Sequence, residues 1–356
     1  MYIAVHAGAG MHSRTSEKRT KHALQQACLC ALSSLSSSTT ALSIVESAIS
    51  SLEDDPYLNA GYGSNLTLDG RVECDAAIMD GATGDFGSVG AVSGVKNPIK
   101  IARMVLEHSR VPDKLGRLRP MMLVSNGARD FVTTTTSSAG TKVELVPPES
   151  LITPQASNEW KMWKDRLISA SESVSIGQMD GLDNIQDTVG AVAWSEGVGA
   201  AAGVSSGGLL LKDSGRVGEA AIYGAGCWAQ RSMCCSVSGA GEYIIRAMLA
   251  RSIGEELMKH VDADPHDILY RILVEKFWDP CRSRGEPYPN AGVVLLTSNE
   301  DTNLVRLWCA FTTPSMAIAY ASLRDPVPKA IILRRPYNLE KQPSHKPRIY
   351  ITAFSL

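Results

Sequence analysis

The segment Asp187-Thr188-Val189-Gly190-Ala191-Val192 carries the clearest chemical signal in the chain. A threonine that becomes the first residue of a polypeptide holds both a hydroxyl that can attack and an α-amine that can take its proton. A free α-amine has an unperturbed pKa of about 7.7–8.0, close to working pH, and so suits a general base. While the peptide bond to Asp187 is intact, that nitrogen is an amide and cannot serve. The chemistry therefore requires autocleavage between Asp187 and Thr188. The route is attack of the Thr188 hydroxyl on the Asp187 carbonyl, an N-to-O acyl shift and hydrolysis of the ester. The plain alternative is that Thr188 merely opens a strand. A second pattern, Gly203-Val204-Ser205-Ser206-Gly207, matches the nucleophile elbow of serine hydrolases. That elbow needs a helix behind it, and the glycine-bounded run 208–215 is too short to supply one.

Positioning Thr188 falls to the elements around it. Apolar residues at three- and four-residue spacing predict helices over about 16–35 and 41–53. Asn97-Pro98 reads as the start of a third helix, running to about 108. Runs of small and β-branched residues predict strands at 2–5, 71–79, 88–95 and 121–124. After Thr188 they recur at 188–194, 199–205, 220–224, 233–238, 292–297, 304–311 and 330–333. Helices are expected over about 241–261 and 265–277, the second capped by Asp262 or Asp264.

Between the halves, 133–187 opens on a Thr/Ser run and carries Pro147, Pro148 and Pro154, with only 160–169 suggesting a helical turn. A connection that long without a clear strand is unusual, and it reads as a flexible, partly helical linker ending at the autocleavage site. The chain thus divides into a core at 1–132, the linker at 133–187 and a second core at 188–356. The order suggests two packed sheets with helices outside, not a βαβ repeat.

Bulk composition narrows the field. Of the 356 residues 44% are hydrophobic and 20% charged, which suits a soluble globular protein with a sizeable core. A net charge of −2 gives no electrostatic case for a nucleic-acid or anionic-membrane partner. No apolar run approaches a membrane span and no secretory signal is visible. The eight cysteines contain no CxxC pair, so no zinc site is expected, and a reducing interior is the simpler setting. Without a secretory route the sequon Asn65-Leu66-Thr67 is idle.

Further segments carry a family pattern: His6 to Gly10, Asn59 to Gly63, Glu73 to Gly81 and Ser93 to Pro98 in the first half. In the second half come Asp187 to Val192, Ser205 to Gly208, Gly215 to Gly218, Tyr223 to Trp228 and Ser238 to Glu242. Across most of 1–130 and 188–320 the chain resembles the threonine-aspartase (taspase) branch of the type-2 asparaginases, which are N-terminal-nucleophile hydrolases. The resemblance implies an α+β fold, a four-layer αββα sandwich. It implies that Thr188 is the nucleophile, that Ser206 orients it, and that Ser238 and the Gly239 amide form the oxyanion hole. Arg216, Glu219 and Gly241 match substrate-binding positions, and Asn59, Gly8 and Gly10 match the active-site loops. The physics agrees, since an oxyanion hole needs donors on closely approaching backbone and a carboxylate suits the planar fork of Arg216.

Three features point within the family to an endopeptidase cutting after aspartate. Asparaginases typically carry Thr at the positions of Ser206 and Ser238, and usually Gly at that of Asp187. The resemblance then implies targets in exposed acidic segments of proteins, among them nuclear regulators such as trithorax-type histone methyltransferases and the TFIIA precursor. It implies an α/β heterodimer that pairs into a larger assembly, an intracellular location in nucleus or cytoplasm, and no metal or organic cofactor. One feature points the other way. Glu219 stands where asparaginases carry an Asp that holds the free substrate ammonium, which leaves L-asparaginase or isoaspartyl peptidase activity as the alternative. A non-enzymatic relative would have been free to lose Thr188, Arg216 or the Ser238-Gly239 pair, and all are present.

Overall fold

The computed structural model describes residues 1–33, 39–135, 140–172, 188–299, 304–340, 343 and 346–356. The first half contributes strands β1 (Tyr2–Gly10), β2 (Cys74–Asp80), β3 (Phe86–Val92) and β4 (Met122–Val124). Its helices are α1 (Glu17–Ser33), α2 (Ala41–Glu53), α3 (Pro98–Ser109), α4 (Ser125–Thr134) and α5 (Pro154–Glu172). The second half contributes β5 (Val189–Ser195), β6 (Gly199–Ser206), β7 (Cys227–Gln230), β8 (Met233–Gly239), β9 (Ala291–Asn299), β10 (Leu304–Phe311), β11 (Ser315–Ser322), β12 (Lys329–Arg334) and β13 (Tyr350–Ser355). Its helices are α6 (Gly241–Ala247), α7 (Leu249–Lys259), α8 (Pro265–Ile272), α9 (Asp279–Ser283) and α10 (Tyr337–Glu340).

Two sheets stack face to face. One has eight strands in the order β12-β11-β1-β5-β6-β2-β3-β4, and the other five in the order β13-β10-β9-β8-β7. The strands pair antiparallel except β3 with β4. Helices α1, α2 and α3 cover the outer face of the larger sheet, and α7 that of the smaller. The result is the expected α+β sandwich of four layers. One core, with Ile3, Val5, Ile44, Ile49 and Val105, fills the space under α1–α3. A second, with Met79, Trp228, Val293, Phe277 and Phe311, lies between the sheets and under the opposite helices. Strands with helices on one side and a sheet on the other are buried on both faces. Their sequences therefore read as continuous small and apolar runs without alternation, as in Val189–Ala193 and Ala200–Val204.

Several elements differ from the sequence expectation. The helix expected over 241–261 is broken at Met248, which sits at φ 44° and ψ 50°. The amides of Ala250 and Arg251 donate to the carbonyls of Ala225 and Gly224 (3.3 and 2.9 Å), so tertiary bonds replace the helical ladder at the break. The strand expected at 220–224 is instead a 3-10 turn over Glu219–Ala221. Asp264, not Asp262, caps α8, accepting from the His266 amide at 2.9 Å. The helical turn expected at 160–169 is the 19-residue α5, with Trp160 Nε1 donating to the Thr67 carbonyl at 2.8 Å. Within that same linker Leu145 forms a β-bridge to Val95. Asp187 lies outside the described residues. All eight cysteines are free, the sequon's Asn65 is buried, and among the described residues no helix is long and apolar enough to cross a membrane.

Candidate active site

Thr188 precedes β5 and is 5% exposed. Val189 pairs with Ser205 in the antiparallel ladder, so the next residues outward, Thr188 and Ser206, face each other with their hydroxyl oxygens 3.0 Å apart. Ser206 Oγ also accepts from the Gly208 amide at 3.0 Å. Strand alternation sends Ser205 to the opposite face, where its hydroxyl donates to Glu53 Oε1 at 2.7 Å. The same oxygen accepts from the Ile99 amide at 3.0 Å, tying the end of α2 to β6 and to the start of α3. Burial pushes the Glu53 carboxyl up to about 8.

The loop after β6 is pinned by Asp75 on β2. Its Oδ2 accepts from the Gly218 amide (2.7 Å) and its Oδ1 from the Ala91 amide (2.8 Å). The 3-10 turn that follows directs Glu219 inward, and Thr188 Oγ1 donates to Glu219 Oε1 at 3.1 Å. Burial pushes the Glu219 carboxyl up to about 7, against the pull of the Arg216 guanidinium. Arg216 Nε and Nη2 both donate to the Glu242 carboxylate, each at 2.8 Å, as a two-pronged ion pair. Gly241 makes room for this cluster: a Cβ there would lie 2.6 Å from both Arg216 Nη2 and Glu219 Oε2.

Thr188, Ser206, Arg216, Glu219, Gly239 and Asn59 line one small cavity. Ser238 lies next to Gly239 and is fully buried, its Oγ accepting from the Ala9 amide at 3.0 Å. Asn59 holds the cavity wall together. Its Nδ2 donates to the Gly208 carbonyl (2.9 Å), and its Oδ1 accepts from the Asn65 amide (2.8 Å). Gly8 and Gly10 do not line the cavity among the described residues. Gly8, at φ 81°, makes the irregularity in β1 between His6 and Ala9, and Gly10 continues that strand beside Ser315. A larger cleft, walled by Trp308, His260 and Arg306, contains none of these residues.

Four participants had no assigned role in the sequence reading: Asp75, Glu242, Glu53 and His6. All but Glu53 lie inside the family-like segments, which was the available signal. His6 is fully buried and held neutral by burial, its pKa down at about 3. The Ser236 hydroxyl donates to the Gly203 carbonyl (3.0 Å), which leaves it accepting from His6 Nε2 (2.8 Å). Gly190 permits this bond, because a Cβ at 190 would fall on Ser236 Oγ and His6 Nε2. Gly190→Ala is expected to destabilise the fold by about 1–3 kcal/mol through overpacking. Thermal unfolding checks it, and an unchanged Tm would contradict the close approach.

A family model described as Asparaginase matches residues 1–276. The chain belongs to the Asparaginase family. As a member of it, the protein is a hydrolase of the N-terminal-nucleophile type. It is 35% identical over 287 residues to the "Plant-type L-asparaginase" of Thermococcus kodakarensis, a match covering 78% of this chain and 86% of that protein. To the "Isoaspartyl peptidase" of Escherichia coli it is 34% identical over 284 residues, covering 77% and 82%. To the "Isoaspartyl peptidase/L-asparaginase" of Xenopus laevis it is 35% identical over 253 residues, covering 70% and 74%. These relatives support the family expected from the sequence, and they favour its asparaginase side over the threonine-aspartase branch.

Proposed function

We propose that this Asparaginase-family chain cuts itself between Asp187 and Thr188, and that the freed Thr188 then hydrolyses the side-chain amide or isopeptide bond of aspartyl compounds. L-asparagine and β-linked aspartyl dipeptides represent the class. The observation that carries the reading is the pairing of Arg216 and Glu219 in the cavity that holds the Thr188 hydroxyl. A free α-amino acid presents a carboxylate and an ammonium on one carbon, and a guanidinium beside a carboxyl complements both. A peptide-bound aspartate has no such ammonium, so a buried acid beside it would be left uncompensated. In the mature form the Thr188 amine takes the hydroxyl proton, Ser206 orients the hydroxyl, and the Gly239 amide with Ser238 receives the developing oxyanion.

A second reading, an endopeptidase cutting after aspartate, is favoured by Ser206, Ser238 and Asp187, which match the threonine-aspartase pattern. Three substrates separate the two: L-asparagine, a β-aspartyl dipeptide, and an acidic peptide with an internal Asp. The matured protein should release ammonia from the first and amino acid from the second, and leave the third intact. A higher kcat/KM on the acidic peptide than on either aspartyl amide would replace the proposal with the second reading.

A further inference from the structure

The self-cleaving step poses a chemical problem that the mature mechanism does not solve. In the uncut chain the Thr188 nitrogen is an amide, so the group that later takes the hydroxyl proton does not yet exist. We propose that the Glu219 carboxylate is the base of this first turnover, accepting the Thr188 hydroxyl proton before the α-amine is formed. The inference rests on the reading that the chain cuts itself before Thr188.

Contact singles out Glu219. Its Oε1 lies 3.1 Å from Thr188 Oγ1, within reach for direct proton transfer. The other ionisable groups nearby are otherwise committed. Arg216 carries no basic lone pair. Asp75 accepts two backbone amides, and His6 Nε2 is engaged with Ser236. Glu53 bonds to Ser205 on the far face of β6.

The hydrogen-bond order also fits. An ionised carboxylate can only accept, so the Thr188 hydroxyl must donate to Glu219. Thr188 Oγ1 thus reaches two acceptors, Ser206 Oγ at 3.0 Å and Glu219 Oε1 at 3.1 Å, and of the two only the carboxylate can keep the proton, since Ser206 Oγ also accepts from the Gly208 amide.

Burial places the Glu219 carboxyl at about 7, where it is both substantially ionised and appreciably basic. The charges around it are the Arg216 guanidinium, which favours the anion, and Asp75 on β2, which opposes it. Glu242 on α6 acts on it through Arg216.

The step balances without a further reagent. The Thr188 O–H proton passes to Glu219 as Oγ1 bonds to the carbonyl carbon of Asp187. The C–N bond then breaks, and the departing nitrogen takes the proton back from Glu219 and becomes the α-amine. Water hydrolyses the resulting ester, giving the Asp187 carboxylate and a free Thr188 hydroxyl.

The test is the rate at which full-length chain, made by cell-free translation, yields the 188–356 fragment by intact mass at a series of pH values. Glu219→Gln keeps the size and an acceptor but cannot take a proton. It should slow the appearance of the fragment by about 10²–10⁴-fold, the usual contribution of a general base. The wild-type rate should rise as pH passes through about 7, and the residual Glu219→Gln rate should lack that rise. Glu219→Asp, which keeps the charge but withdraws it by one methylene, should also be slow yet retain the rise. It stands in should Glu219→Gln fail to give a wild-type thermal transition. Fragment appearing in Glu219→Gln at the wild-type rate, or with the wild-type pH dependence, overturns the assignment. Thr188→Ala, run alongside, keeps the two ideas apart. A fragment in that variant sinks the threonine mechanism itself, whereas an intact Thr188→Ala chain beside a normally maturing Glu219→Gln sinks only the role of Glu219.

Discussion

Thr188→Ala is expected to give one unbroken chain of 38.2 kDa with no hydrolytic activity above background. One residue supplies both functions here, because its hydroxyl attacks in the self-cleaving and the substrate reactions and its nitrogen becomes the base. Removing the hydroxyl therefore blocks the cut, and without the cut no amine forms. Loss of a nucleophile of this kind typically lowers turnover by about 10⁴–10⁶-fold. The fold should survive, since the substitution removes only the small polar end of a buried side chain. What is lost are the contacts to Ser206 and Glu219, worth about 1 kcal/mol each. Intact mass, N-terminal sequencing and a thermal melt check the three parts together. A break before residue 188 in this variant would overturn the mechanism.

Arg216→Leu should leave a folded and still self-cleaving chain whose kcat/KM on aspartyl amides falls by about 10²–10³-fold. That is the scale of removing one partner from a buried charged hydrogen-bonded pair. Without substrate, the Arg216 fork is occupied by Glu242, with both bonds at 2.8 Å. The two partners are unequally held, the arginine side chain being 14% exposed and the glutamate 52%. Glu242 can therefore swing into water while Arg216 stays, which lets a substrate carboxylate take the fork. Loss of the guanidinium also removes the positive charge that holds the Glu219 pKa down. The rise of the maturation rate with pH should accordingly move to higher pH. Steady-state kinetics on matured Arg216→Leu checks the first effect, and unaltered kcat/KM would remove Arg216 from substrate recognition.

The residues that meet in the cavity were legible because they belong to ordered motifs, and each motif lies at a strand end or a glycine-bounded turn. The inward turn of Glu219 was not legible. The run 220–224 has the small and β-branched residues of a strand, yet the Gly218–Asp75 bond and the Ile222 amide donating to the Glu219 carbonyl (3.1 Å) close it into a 3-10 turn. Strands β7, β11 and β13 were missed for related reasons. β7 has four residues. β11 is largely buried on both faces and shows no alternation, and β13 lies beyond the family-like region and owes its form to pairing with β10. The break at Met248 was equally hidden, because it depends on carbonyls of residues 224 and 225. Local pattern located the chemistry, and distant backbone partners set the conformations that aim it.

The order of strands has a consequence for the two pieces that self-cleavage would leave. β1 is held between β11 and β5, and β2 is joined to β6. The pieces therefore interdigitate like the fingers of clasped hands, and separating them means tearing three ladders across the middle of one sheet. Such a nicked molecule should melt in a single step that unfolds and releases both pieces together, with a midpoint that falls on dilution. Halves produced separately should regain activity only when unfolded and renatured together, never by simple mixing.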